Sequence, residues 1–224
     1  MTNLTQLTRW SGLASMLGGA LFAIGIALHP LRHGQAVNES PYTAIHVLIA
    51  LALMLILFGL VGLYIRQAES LGTAGLYSFI VAFVGNLWTY GLIITEGFLW
   101  PAVGRYDPAA VHKLDPTAAG ARGSSLLLIF FVGLALFALG YALFGRAITR
   151  GGVLPRWGGV LIAIGAVLYV VGGFSLALFG PESPLVTIIE TSGAVPFGLG
   201  FIWLGYVLWR GGDRVRRTVA SVAH

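Results

Sequence analysis

Apolar residues fall in six long runs separated by short polar interruptions. The runs cover 10–29, 43–65, 73–100, 124–145, 157–179 and 185–209. Each holds about 20 residues or more, the length an α-helix rising 1.5 Å per residue needs to cross a ~30 Å hydrocarbon core. The pattern predicts an all-α fold, a polytopic membrane bundle of six transmembrane helices. The connections at 30–42, 66–72, 101–123, 146–156 and 180–184 are too short for a soluble domain, so residues 1–224 read as one transmembrane domain with a basic tail at 210–224.

Composition strengthens this reading. Of the 224 residues 57% are hydrophobic and 9% charged, against roughly 25% charged in an average soluble domain, and the mean hydropathy is +0.88. The net charge of +5 does not point to nucleic acid, because the basic residues cluster beside the apolar runs. Arg9, Arg66, Arg146, Arg150, Arg156, Arg210, Arg214, Arg216 and Arg217 fall on one side, and Arg32, Arg105, Lys113 and Arg122 on the other. Nine against four predicts cytoplasmic N- and C-termini, since positively charged loops stay inside. The first run is too long for a signal-peptide core and lacks an A-x-A site, so no cleaved leader is expected.

The absence of cysteine removes disulfides, thiolate catalysis, iron–sulfur clusters and thiolate-ligated haem. The single lysine, Lys113, lies in a loop, which removes a retinal Schiff base within a helix. Five histidines are too few for a membrane di-iron desaturase, and neither a Gly-x-Ser-x-Gly elbow nor a His-Glu-x-x-His helix occurs. The 32 glycines recur inside the runs, as expected where helix backbones approach closely in lipid.

Ionisable groups at membrane depth cost about 2.5 kcal/mol or more, so their positions carry the functional signal. His29 closes the first helix, His33 follows it and His46 opens the second, while Glu96 lies near the end of the third and Glu190 near the start of the sixth. All five fall toward the outer side in the predicted topology. Glu190 is six residues past Pro184, or about 9 Å of descent, and shares a face with Thr187, Ala194 and Phe197, with Phe201 a turn deeper. Pro196 on that helix removes a backbone hydrogen bond and predicts a kink. Glu96 shares a face with Thr89 and Trp100, with Asn86, Trp88 and Tyr90 deeper on the same helix. An interfacial pairing of Glu96 with Arg105 or Arg122 is the simplest alternative to a functional role.

A zinc site is open to His29 and His46 if a third ligand such as Glu96 joins them, and a haem between the two histidines is a further alternative. In the outer loop, Asp107-Pro108 and Asp115-Pro116 are capped helix starts, predicting a short helix from Pro108 to about Leu114 that lies across the bundle mouth.

The His29-Pro30 end of the first helix, His46, Glu96 and the run Gly152-Val153-Leu154-Pro155-Arg156-Trp157-Gly158 resemble small six-helix bacterial integral membrane proteins of unknown function. That resemblance implies a bacterial plasma-membrane location. A looser, architectural resemblance is to the small integral-membrane terpene cyclases of meroterpenoid pathways, where membrane carboxyls start cyclisation by protonation.

Three functions follow as expectations. The first is an intramembrane, terpene-cyclase-like enzyme acting on a lipid-soluble, isoprenoid-like substrate in an outer-facing cavity. There Glu96 and Glu190 serve as general acids, Asn86, Trp88, Tyr90, Trp100, Phe197 and Phe201 line the substrate, and no cofactor is required. The second is a metal- or haem-binding protein using His29 and His46. The third is a small transporter or ligand-binding protein without chemistry. The expected partners are membrane lipid and a hydrophobic small molecule, with no nucleic acid and with a homo-oligomer left open.

Overall fold

The computed structural model describes residues 3–29, 40–107, 109–111, 125–179 and 183–222. Helix α1 runs Asn3–Ala27. A second helical stretch, Ser40–Ile94, is interrupted at Gly72, whose φ of 58° lies in the left-handed region open to glycine. The residues on either side form α2 (40–71) and α3 (73–94). A π-helical turn, Thr95–Leu99, leads into the short α4, Trp100–Gly104. Helices α5 (Ser125–Gly151), α6 (Arg156–Phe179) and α7 (Pro184–Val222) complete the chain.

The chain folds back on itself at Gly72. The Tyr64 and Phe79 rings stack at 4.6 Å, and Asn86 donates to the Leu53 carbonyl at 3.1 Å across 33 residues. Such contacts are impossible along a straight helix, so α2 and α3 form an antiparallel hairpin. The predicted 66–72 loop is in fact helix down to a single residue, because Gln67, Ala68, Glu69 and Leu71 are good helix formers and Gly72 alone breaks the run. Other helices also outrun their apolar stretches: α1 begins at Asn3 and α5 continues to Gly151. Hydropathy marks the lipid-facing length, whereas backbone hydrogen bonding carries a helix on into polar sequence.

Among the described residues, five helices are long and apolar enough to cross a membrane, the longest being the folded-back Pro41–Gly104. The outward faces are apolar, with Ile24, Leu51, Phe58, Ile164 and Leu199 each about half exposed. Inside, α1 packs on α2 and α7, α3 on α5, α5 on α6, and α6 on α7, closing a ring. Small residues make the closest seams. A Cβ on Gly19 would come within 2.5 Å of the Gly198 carbonyl oxygen, and one on Gly12 within 2.6 Å of that of Gly205. In a bilayer, where lipid tails offer no hydrophobic drive between helices, this close approach and interhelical hydrogen bonds would hold the ring. Ser15 Oγ donates to the Phe201 carbonyl at 2.8 Å, tying α1 to α7.

The axis of the ring is filled by aromatic side chains. Phe22, Phe137, Tyr141, Tyr169, Phe197 and Phe201 touch one another at centroid distances of 4.7–6.4 Å. Asn86 is fully buried beside them and accepts a 2.6 Å hydrogen bond from the Tyr141 hydroxyl, so α2, α3 and α5 meet at one polar clamp. Helix α7 passes through Pro196 without interruption.

Candidate metal centre

The end of the bundle away from the N-terminus gathers the costly residues. His29 lies two residues beyond α1, its backbone N–H donating to the Ile26 carbonyl. His46 is on the second turn of α2 and fully buried. Glu96 sits in the π turn that follows α3 and is 8% exposed. The three side chains converge: Glu96 Oε2 is 3.6 Å from His46 Nε2 and 3.8 Å from His29 Nε2, and the His29 and His46 rings are 4.9 Å apart. One ligand atom from each residue lies within 4.8 Å of the others.

Local sequence explains why they meet. Pro101 has no N–H to return to the Gly97 carbonyl and its ring crowds that position, so an α-helical ladder cannot pass this point. The chain widens instead, and the Trp100 N–H reaches back to the Thr95 carbonyl, an i→i+5 bond. Gly97 then allows α2 to come close, since a Cβ there would lie 2.5 Å from His46 Cβ. Tyr42, one turn before His46, orients the ring from the other side: its carbonyl is 2.8 Å from His46 Nδ1. A carbonyl only accepts, so Nδ1 carries the proton and Nε2 is the atom presented to Glu96.

Glu190 completes the polar end. It is 9% exposed on the second turn of α7, and its Cγ occupies the space that a Cβ on Gly172 would need, at 2.4 Å. The Gly172-Gly173 pair of α6 thus makes room for the acid. On its predicted face, Ala194, Phe197 and Phe201 are fully buried below Glu190 and Thr187 is half-buried.

The other sequence candidates divide. Phe197 and Phe201 are members of the axial aromatic cluster, and Asn86 is engaged in its clamp. Tyr90 is half-buried against the same core. Trp88 turns to the outer α3–α5 seam, 37% exposed, with Nε1 donating to the Ile129 carbonyl at 3.1 Å. Trp100 is buried with Tyr42 and Val111. Arg105 is exposed, and Glu96 faces the histidines. Asp107 caps a turn as expected, its carboxylate accepting from the Ala109 N–H at 3.0 Å, and Val111 from that turn packs on the Tyr42 beside His46. His33, Arg122, and the rest of the predicted 108–114 helix after Val111 lie outside the described residues.

Comparison with family models, curated proteins and solved structures finds no match to this chain. Its chemistry therefore rests on the site alone. Two imidazoles and a carboxylate are the donor set of zinc and non-haem iron sites. Tetrahedral ligands at 2.0–2.2 Å from zinc stand roughly 3.3 Å from one another; the 3.6 and 3.8 Å between Glu96 and the histidines are a few tenths of an ångström longer, and all three ligand atoms lie within 4.8 Å of one another. Both separations exceed hydrogen-bond length.

Proposed function

We propose that this is an integral membrane protein of six spans, with both termini on the cytoplasmic side, whose function resides in a divalent transition-metal centre at its outer end. His29, His46 and Glu96 are the ligands. The observation that carries this reading is the convergence of three metal-ligating side chains from three separate chain segments, His46 and Glu96 buried and His29 partly so, in an otherwise apolar bundle. The hydrogen bond from His46 Nδ1–H to the Tyr42 carbonyl supports it, because metal-bound imidazoles are held by such an outer contact.

Three protein ligands are the count found in catalytic zinc sites, which keep one position open, whereas structural sites use four. An ion in such a site supplies Lewis acidity or an activated water. The chain's own contributions are separable. Tyr42 fixes the His46 tautomer, the π turn aims Glu96, and Glu190 offers a second carboxylate at the same end of the bundle. The 4.9 Å between imidazole rings favours a single ion over haem, since rings in near contact leave no gap for a porphyrin plane.

A second reading keeps the site but not the metal: Glu96 and Glu190 act as acids on a lipid-soluble, isoprenoid-like substrate. The burial of Glu96 and Glu190 at one end of the bundle, with Phe197 and Phe201 below Glu190 on its helix, favours it. Metal analysis of protein expressed with zinc, iron and manganese separates the two. The metal reading expects about one equivalent in the wild type and under a tenth of that in His46→Ala. Metal-free wild-type protein would overturn it and leave the carboxyl chemistry.

A further inference from the structure

The opposite end of the bundle holds a groove of about 390 Å³ between the start of α3 and the end of α5. Arg146 and Arg150 stand on its rim, one turn apart on α5 and so on one face. The first turn of α3, with Ala74 and Gly75, forms another wall and brings the positive end of a helix dipole to the same space. Ser70 and Ser78 also line it, their hydroxyls donating to the Gln67 and Gly75 carbonyls. Beneath lies Gln67, 2% exposed, whose amide nitrogen and oxygen both lack a hydrogen-bond partner among the described residues. Its Oε1 points toward Gly151, at 3.5 Å from where a Cβ would stand, and Gly151 lines the groove.

Two arginines and a helix N-terminus together describe a receptor for a phosphate-class anion. The remaining walls say which kind. Leu71, Val81 and Leu143 continue the groove as an apolar strip along the lipid-facing side, with Leu143 41% exposed. A free anion has no use for that strip, whereas a phospholipid fills both halves.

We infer that this groove binds an anionic phospholipid, the phosphodiester on Arg146 and Arg150 and an acyl chain along Val81 and Leu143. Basic pockets between helices at headgroup level are suited to such lipids. The site is independent of the His29, His46 and Glu96 centre, at the other end of the bundle.

The test uses full-length protein in a neutral detergent, titrated with phosphatidylglycerol, phosphatidylcholine or inorganic phosphate, and read by native mass spectrometry and thermal melting. Phosphatidylglycerol should give a one-to-one adduct that survives mild activation and a raised Tm. Phosphatidylcholine should bind at least tenfold more weakly. In the double variant Arg146→Gln, Arg150→Gln the adduct and the shift should both disappear. The double variant Arg156→Gln, Arg210→Gln loses the same charge from exposed positions outside the groove and should keep them. A shift with inorganic phosphate equal to that with phosphatidylglycerol would overturn the lipid assignment in favour of a free anion. Equal loss in the two double variants, or equal binding of the two lipids, would overturn the groove itself.

Discussion

The two ends of the bundle meet the same difficulty, polar groups beside hydrocarbon, in opposite ways. At the end bearing the N-terminus most charges are arginines, three of which rest on aromatic faces: the half-buried Arg9 lies 4.2 Å from the Trp209 ring, and the exposed Arg156 and Arg210 lie 5.2 Å from Trp157 and 5.4 Å from Tyr206. At the other end Arg105 and Asp107 are exposed, but three imidazole and carboxyl groups turn inward: His46 is fully buried, with Glu96 8% and Glu190 9% exposed. Arginine has a long stem that reaches water and keeps its charge cheaply. Histidine and glutamate are shorter, and burying them together is favourable only if their charges and lone pairs are shared, with one another or with an ion. One end is therefore an anchor and the other a site.

This contrast can be broken by substitution. The largest effect should come from His46→Ala, which removes a ligand and leaves Glu96 facing one imidazole; bound metal should fall below detection while the helical circular dichroism stays unchanged. Gly97→Ala should come next, because its new methyl collides with His46 Cβ and pushes α2 from the π turn. Metal affinity should drop about 10- to 100-fold, as when a supporting contact is lost, measured by competition with a chromophoric chelator.

Asn86→Leu probes neither end. It deprives the Tyr141 hydroxyl and the Leu53 carbonyl of their partner, and should cost about 1–3 kcal/mol in denaturant unfolding with metal content intact. The smallest effect belongs to the anchor end. Arg156→Gln, an exposed cation over an exposed ring, should change stability by less than about 1 kcal/mol and leave metal binding untouched. A metal loss in Arg156→Gln as large as in Gly97→Ala would erase the distinction between the ends.

Much of this division is readable in the chain before it folds. Apolar runs give the helices, and depth along those runs marks His29, His46, Glu96 and Glu190 as the residues that need explaining. Their meeting is not readable, because it depends on which helices neighbour each other: His29 follows α1, His46 is on α2, and Glu96 comes from the far arm of a hairpin whose hinge is one glycine. The π turn is equally hidden in hydropathy, although Pro101 five residues after Glu96 is its physical signal. Periodicity also gives a face without saying which way it turns. Glu96, Trp88 and Tyr90 lie on one helix, yet Trp88 serves the outer α3–α5 seam while Glu96 looks inward. Phe197 and Phe201, expected to line a substrate chamber, stand in the axial cluster, where large rings close the gaps left by small residues at the seams.

The central claim is that one metal ion joins three chain segments at the buried end. Anomalous diffraction from crystals grown with zinc, recorded on both sides of the zinc edge, tests it most directly. The account predicts a single strong peak about 2.0–2.2 Å from Nε2 of His29, Nε2 of His46 and a carboxylate oxygen of Glu96. Ordered side chains at these three positions with no anomalous peak between them would contradict it.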